Sequence, residues 1–208
     1  MEEAVTATVR SANRARPSRL ALFLAFLVPV TLMATSCAAD DPLAQQAAAG
    51  DGKNYIAGDG SVTEYAASER GEPVEVAGTL FDGTSVSSAD WDDQVTVLNF
   101  WYASCAPCRQ EAPDLVALHE EYAPQGAVFY GVNIRDEQAT AEAFERSFGI
   151  PYESFDDTDG GVLLDMTQYV PPQAVPTTIV LDREGRVAAR ILGLADRSTL
   201  DALISDVL

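Results

Sequence analysis

Val95-Thr96-Val97-Leu98-Asn99-Phe100-Trp101-Tyr102-Ala103-Ser104-Cys105-Ala106-Pro107-Cys108 is the stretch that decides the fold. Its first seven residues are a continuous apolar run of the kind found in strands buried on both faces. A short turn then delivers two cysteines, two residues apart, to the start of a helix predicted over Pro107 to Tyr122. A CxxC beside a strand–helix–strand pattern reads as a redox dithiol. The sulfurs can meet when the first cysteine caps the helix and the second lies in its first turn. Unpaired N–H groups and the positive helix end there stabilise a thiolate, which lowers the pKa expected for Cys105. Pro107 suits the first turn because it has no N–H to satisfy. Cys105 is therefore expected as the exposed attacking sulfur, and Cys108, turned inward, as the one that resolves the mixed disulfide.

The pattern continues on both sides of this stretch. Val74 to Leu80, the Asp82-Gly83 turn and Thr84 to Val86 predict a small hairpin ahead of it. Behind it, Ala127 to Ile134 is a second buried strand, and residues 137–148 carry Ala141, Phe144 and Phe148 on one helical stripe. Thr177 to Leu181 and Val187 to Leu192 flank the turn Asp182 to Gly185, and a last helix is expected over Arg197 to Leu208. Strands alternating with helices and ending in a hairpin define an α/β domain with a mixed sheet.

Composition removes several function classes. The 208 residues hold 13 basic and 32 acidic side chains, a net charge of −19, so the chain would repel nucleic-acid phosphates. Three cysteines are too few for a disulfide scaffold, and a single histidine, His119, excludes His-rich metal sites. A zinc site would need four ligands, and no second CxxC or suitably spaced histidine accompanies the first. A purely structural disulfide leaves the placement of the pair on a strand-to-helix turn unexplained. His119 reads as an ordinary helix side chain and Arg109 as a surface residue.

The N-terminal quarter has a different character. Arg10, Arg14, Arg16 and Arg19 precede an apolar run from Leu20 to Met33, and small residues follow up to Cys37. That order describes a secretory signal over residues 1–36. The run is shorter than the roughly 20 residues that a membrane-spanning helix prefers, a short anchor being the competing reading. Met33-Ala34-Thr35-Ser36-Cys37 resembles a bacterial lipobox, with Ala34 where leucine is usual. Cys37 is thus expected to carry lipid, holding the protein to the extracytoplasmic face of the cell membrane without spanning it. Ordinary cleavage near Ala38 is the alternative. Residues 37–70, rich in Ala, Gly, Asp, Gln and Ser, show no sustained period and read as a flexible tether of about 30 Å root-mean-square span. The folded domain then occupies residues 71–208.

Val97-Leu98-Asn99-Phe100-Trp101, Cys105-Ala106-Pro107-Cys108, Arg109-Gln110-Glu111-Ala112-Pro113 and Val175-Pro176-Thr177-Thr178 together resemble the thioredoxin superfamily. More narrowly, they are similar to its membrane-anchored disulfide reductases of the TlpA/ResA type. The resemblance implies a thioredoxin-like fold: a central mixed sheet flanked by helices, with the hairpin as an N-terminal extension. It implies a cis peptide before Pro176, facing the dithiol, and a substrate-facing surface made by Trp101, Ala106, Pro107, Val175 and Pro176. It also implies that Glu111, three residues after Cys108, lies beneath the dithiol and handles its protons; a helix-dipole role is the competing reading. Ser104 stands where the family has tryptophan, and Tyr169 to Pro176 is about one residue longer than usual. Both departures touch the partner surface and neither removes a sulfur.

Two function classes follow. One is a protein-disulfide reductase without cofactor or metal, acting on exported disulfide-containing proteins, apocytochrome c among those the resemblance implies. The other is an anchored binding or chaperone module without redox turnover. Because the milieu outside the cytoplasm is oxidising, the first requires a membrane electron donor; the resemblance implies that this donor is a separate transmembrane dithiol protein. Copper delivery would want a CxxxC spacing and a distal histidine. A peroxidatic cysteine would want a preceding threonine, where Ala103-Ser104 stands.

Overall fold

The computed structural model describes residues 58–208. The expected signal segment, Cys37 and the tether up to residue 57 lie outside the described residues. The strands are β1 (Ser61–Glu64), β2 (Ala77–Thr79), β3 (Ser85–Ser87), β4 (Val95–Trp101), β5 (Ala127–Asn133), β6 (Ser154–Asp156), β7 (Thr177–Leu181) and β8 (Val187–Leu192). The helices are α1 (Ala106–Tyr122), α2 (Gln138–Phe148), α3 (Gly161–Asp165) and α4 (Arg197–Ser205).

Six strands form one sheet in the order β1-β8-β7-β4-β5-β6, and β2 and β3 form a separate hairpin. β4 is parallel to β5, and β5 to β6, whereas β7 runs antiparallel to both β4 and β8. Every residue of β4 is buried, as its unbroken apolar run predicts for a central strand. On one face of the sheet, Leu115, Leu118 and Tyr122 of α1 pack with Leu200, Leu203 and Ile204 of α4. On the other, Val76, Leu80 and Trp91 of the hairpin region cover Leu98, Phe100, Phe155 and Met166. A third cluster, at the C-terminal end of β4, holds both cysteines with Trp101, Ala112, Phe144 and Val175. Among the described residues no helix is long and apolar enough to cross a membrane.

The expected tether is too long at its C-terminal end. Residues 61–64 form the edge strand β1, antiparallel to β8 from Ser61 opposite Leu192 to Glu64 opposite Ala189. Close backbone approach seats it, since a Cβ on Gly58 would collide with the carbonyl of Leu192. Tyr65 then meets Tyr169 edge to face with centroids 5.9 Å apart, and Arg70 pairs with the buried Asp182 at 2.9 Å. A four-residue edge strand is too short to register as a periodicity, and both contacts reach partners more than 100 residues away. Two further elements, β6 and α3, were not expected and are equally short. The hairpin extension stands: its first strand begins three residues later and ends one residue earlier than expected, and its second is shifted by one.

Candidate active site

Cys105 is the N-cap of α1, with extended backbone angles of φ −72° and ψ 114°. Its sulfur accepts a hydrogen bond from the backbone N–H of Cys108 at 3.2 Å, so a helix-terminal donor is spent on it. The Cα atoms lie 5.3 Å apart and the two sulfurs form a disulfide. Pro107 occupies the first turn as expected. The loop leading in is held from outside: Asp136 accepts from the N–H of Ala103 at 2.6 Å and from the side chain of Asn133 at 3.0 Å. Nothing local in the sequence announces that clamp, because Asp136 lies 33 residues away.

Exposure around the dithiol departs from expectation. Cys105 is fully buried in this oxidised form, not exposed; its sulfur accepts from the helix end, and the residue belongs to the same buried cluster as Val175 and Tyr102. Cys108 is buried, as expected. Trp101, expected to face substrate, is buried and stacks on Phe144 at 4.4 Å, because the last residue of a central strand still lies between sheet and helix. Val175 and Pro176 are buried as well, while Ala106 is exposed and Pro107 half-buried. The Val175–Pro176 peptide is cis, as the resemblance implied.

Glu111 lies one turn along α1 from Cys108 and is only 1 % exposed. Its Oε1 accepts from the Nδ2 of Asn99 at 2.7 Å, and its Oε2 from the N–H of Ala195 at 2.9 Å. Asn99 also donates to Thr178 Oγ1 at 3.1 Å, straight across the β4–β7 ladder. Burial drives the Glu111 carboxyl up to about 8; the Ala195 and Asn99 donors pull it down, and the charge of Asp114 adds a smaller upward push. A cavity of about 10 Å³, the room of a single water molecule, is lined by Asn99, Trp101, Cys108, Phe144, Tyr152 and Ser154. Cys108 and Asn99, whose side-chain amide donates to Glu111, both line it. A Cβ on Gly131 would collide with Ser154 Oγ, so glycine there keeps the wall of the cavity in place.

His119 packs against Phe129 and Tyr152, each with centroids 5.5 Å away, and burial lowers its pKa. It is a helix side chain, as read. Sequence reasoning missed Asn99 as a site residue, although a lone amide inside the run VTVLNFW was the available signal. Ala195, whose contribution is a backbone N–H, left no signal at all.

A mixed sheet with a helix-capping CxxC and a cis-proline loop defines a thioredoxin-like protein with a redox-active pair. Residues 73–190 match the AhpC/TSA family, and the chain belongs to that family. A solved structure of a DsbF homologue from Corynebacterium diphtheriae is 34% identical, with a TM-score of 0.62, covering 72% of this chain and 94% of that one. The thiol:disulfide interchange protein DsbE of Pseudomonas aeruginosa is 33% identical over 113 residues, 54% of this chain and 58% of that protein. The thiol-disulfide oxidoreductase ResA of Bacillus subtilis is 28% identical over 119 residues, 57% of this chain and 64% of that protein. The chain thus matches less than two thirds of the length of either of these two relatives.

Proposed function

We propose that this protein is an extracytoplasmic thiol–disulfide oxidoreductase that reduces disulfides in exported proteins. The observation that carries the reading is the Cys105–Cys108 pair on a helix N-cap with a buried carboxyl one turn behind it. In the reduced protein the Cys105 thiolate attacks a substrate disulfide, forming a mixed disulfide and releasing one substrate sulfur as thiolate. Cys108 then attacks the Cys105 sulfur, the second substrate thiol leaves, and the protein's own disulfide forms. Two electrons pass to the substrate. The proton lost by Cys108 goes to Glu111, whose value of about 8 suits a base working near neutrality. Desolvation raises the pKa of a buried thiol, so Cys108 needs such an acceptor.

Names such as DsbE and ResA among the relatives support the exchange chemistry. Apocytochrome c is the substrate that the resemblance implies. Cys37 supplies the lipid anchor in this reading, a signal over residues 1–36 directs export, and a transmembrane dithiol partner re-reduces the disulfide. The test is the reduction potential of the purified protein in glutathione or dithiothreitol buffers. A value close to the roughly −270 mV of thioredoxin is expected; one near the roughly −120 mV of a dedicated oxidant would overturn the reductase.

A further inference from the structure

Arg109 follows Cys108 directly, is exposed, and is fixed in place. Its guanidinium donates to the carbonyl of Ala103 at 3.2 Å and lies 5.7 Å and 5.1 Å from the ring centroids of Phe144 and Phe148. Arg70, Arg146, Arg183, Arg186 and Arg197 each have a carboxylate within 4 Å. Among the described residues Arg109 has none; nor does Arg190, which instead donates to the carbonyl of Tyr169 and the hydroxyl of Thr63. Across the same loop, the guanidinium of Arg135 sits 4.2 Å from the centroid of Tyr102. Ser104 and Ala106, on either side of Cys105 in sequence, are exposed.

An arginine laid on aromatic faces loses little further freedom when it binds, and its planar fork matches a carboxylate with two parallel hydrogen bonds. Arg109 spends one guanidinium donor on the carbonyl of Ala103, two residues before Cys105 in sequence. We propose that Arg109 is a specificity-determining residue, selecting disulfide partners that carry Asp or Glu beside the disulfide. The inference rests on the exchange activity proposed above and adds the chemistry of the partner. It also runs against the long-range field: at a net charge of −19 the protein as a whole repels acidic segments, so an acidic preference has to come from a local contact. At 0.15 M salt, screening over about 8 Å lets the local contact dominate.

The experiment uses the full chain in neutral detergent, reduced, with disulfide peptides that differ only in acidic, neutral or basic flanking residues. Single-turnover second-order rate constants are measured for each peptide. The wild type should favour acidic over basic flanks by about 3–10-fold, from the usual worth of exposed ion pairs. Arg109→Glu should lower that ratio by a similar factor, with Arg109→Gln between the two. Arg197→Glu changes net charge equally at a site outside the loop and should leave the ratio where it was. A ratio unmoved by Arg109→Glu, with the peptides still reduced, overturns the specificity role alone. Failure of the wild type to reduce any peptide overturns the exchange activity and this inference with it.

Discussion

Replacing Glu111 with glutamine should remove one component of the pH dependence of stability in a predictable way. The folded carboxyl titrates near 8, against 4.5 for a free one, because burial outweighs its two hydrogen bonds. The folded state therefore keeps a proton that the unfolded chain gives up between about pH 4.5 and pH 8. Stability from this group is complete below pH 4.5, falls as pH rises through that window, and is flat above it. At 1.36 kcal/mol per tenfold change in proton affinity, the ceiling on the loss is about 5 kcal/mol. Glutamine removes the titration and introduces a different cost. Both Glu111 oxygens accept, from Asn99 and from Ala195, and an amide nitrogen cannot. One buried N–H then faces another donor, which costs about 1–3 kcal/mol.

At pH 5 Glu111→Gln should accordingly be the less stable protein by about 1–3 kcal/mol. By pH 9 it should equal or exceed the wild type, since the wild type has by then lost several kcal/mol that the variant never had. The assay is denaturant unfolding of the oxidised proteins from pH 5 to pH 9, where the difference between the curves isolates Glu111 from other titrating groups. Rate should move as well. Disulfide reduction at neutral pH should fall about 10–100-fold in the variant, with the deficit shrinking at higher pH as hydroxide replaces the lost base. Stability curves that stay parallel within about 1 kcal/mol, beside superimposable pH–rate profiles, would refute both the buried acid and its role in proton transfer.

Two other outcomes test neighbouring parts of the reading. Cys108→Ser should accumulate mixed disulfides through Cys105, visible as non-reducing gel adducts, whereas Cys105→Ser should accumulate few; equal trapping would mean the roles of the sulfurs are reversed. Cys37→Ser should release the protein from membranes or leave its signal uncleaved, and unchanged fractionation and mass would remove the lipid anchor.

Long, uniform patterns were the legible part of this chain. β4 and its helix could be placed within a residue because a seven-residue run, apolar apart from Thr96 and Asn99, ends on a turn whose two cysteines fix the helix start. β1, β6 and α3 span three to five residues each, no more than two periods of any pattern, and tertiary contacts decide them. The site divides in the same way. Cys105, Cys108 and Glu111 share one helix, so their spacing already places them together. Asn99, Ala195 and Asp136 reach the site from other elements, and two of them act on backbone N–H groups or through one. Exposure was misjudged at Cys105, Trp101 and Val175 because a motif specifies which residues meet, not how much of each the surrounding helices cover.

The placement of Glu111 explains why its partners come from so many elements. In the proton transfer proposed above, the accepting carboxyl is one held away from bulk water, where an isolated ion would be expensive. Asn99 on β4 and the Ala195 N–H just before α4 each offer one hydrogen bond, enough to pull the pKa down without returning it to the range of a free carboxyl. Thr178 on β7 accepts from the same Asn99 amide and fixes its orientation across the ladder. Two strands and the lead-in to a helix therefore set the proton affinity of a group on a third kind of element, α1, whose first turn carries the sulfurs. A change at Asn99 would thus alter the chemistry of Cys108 without touching it, because the cavity wall and the carboxyl's donor are the same side chain.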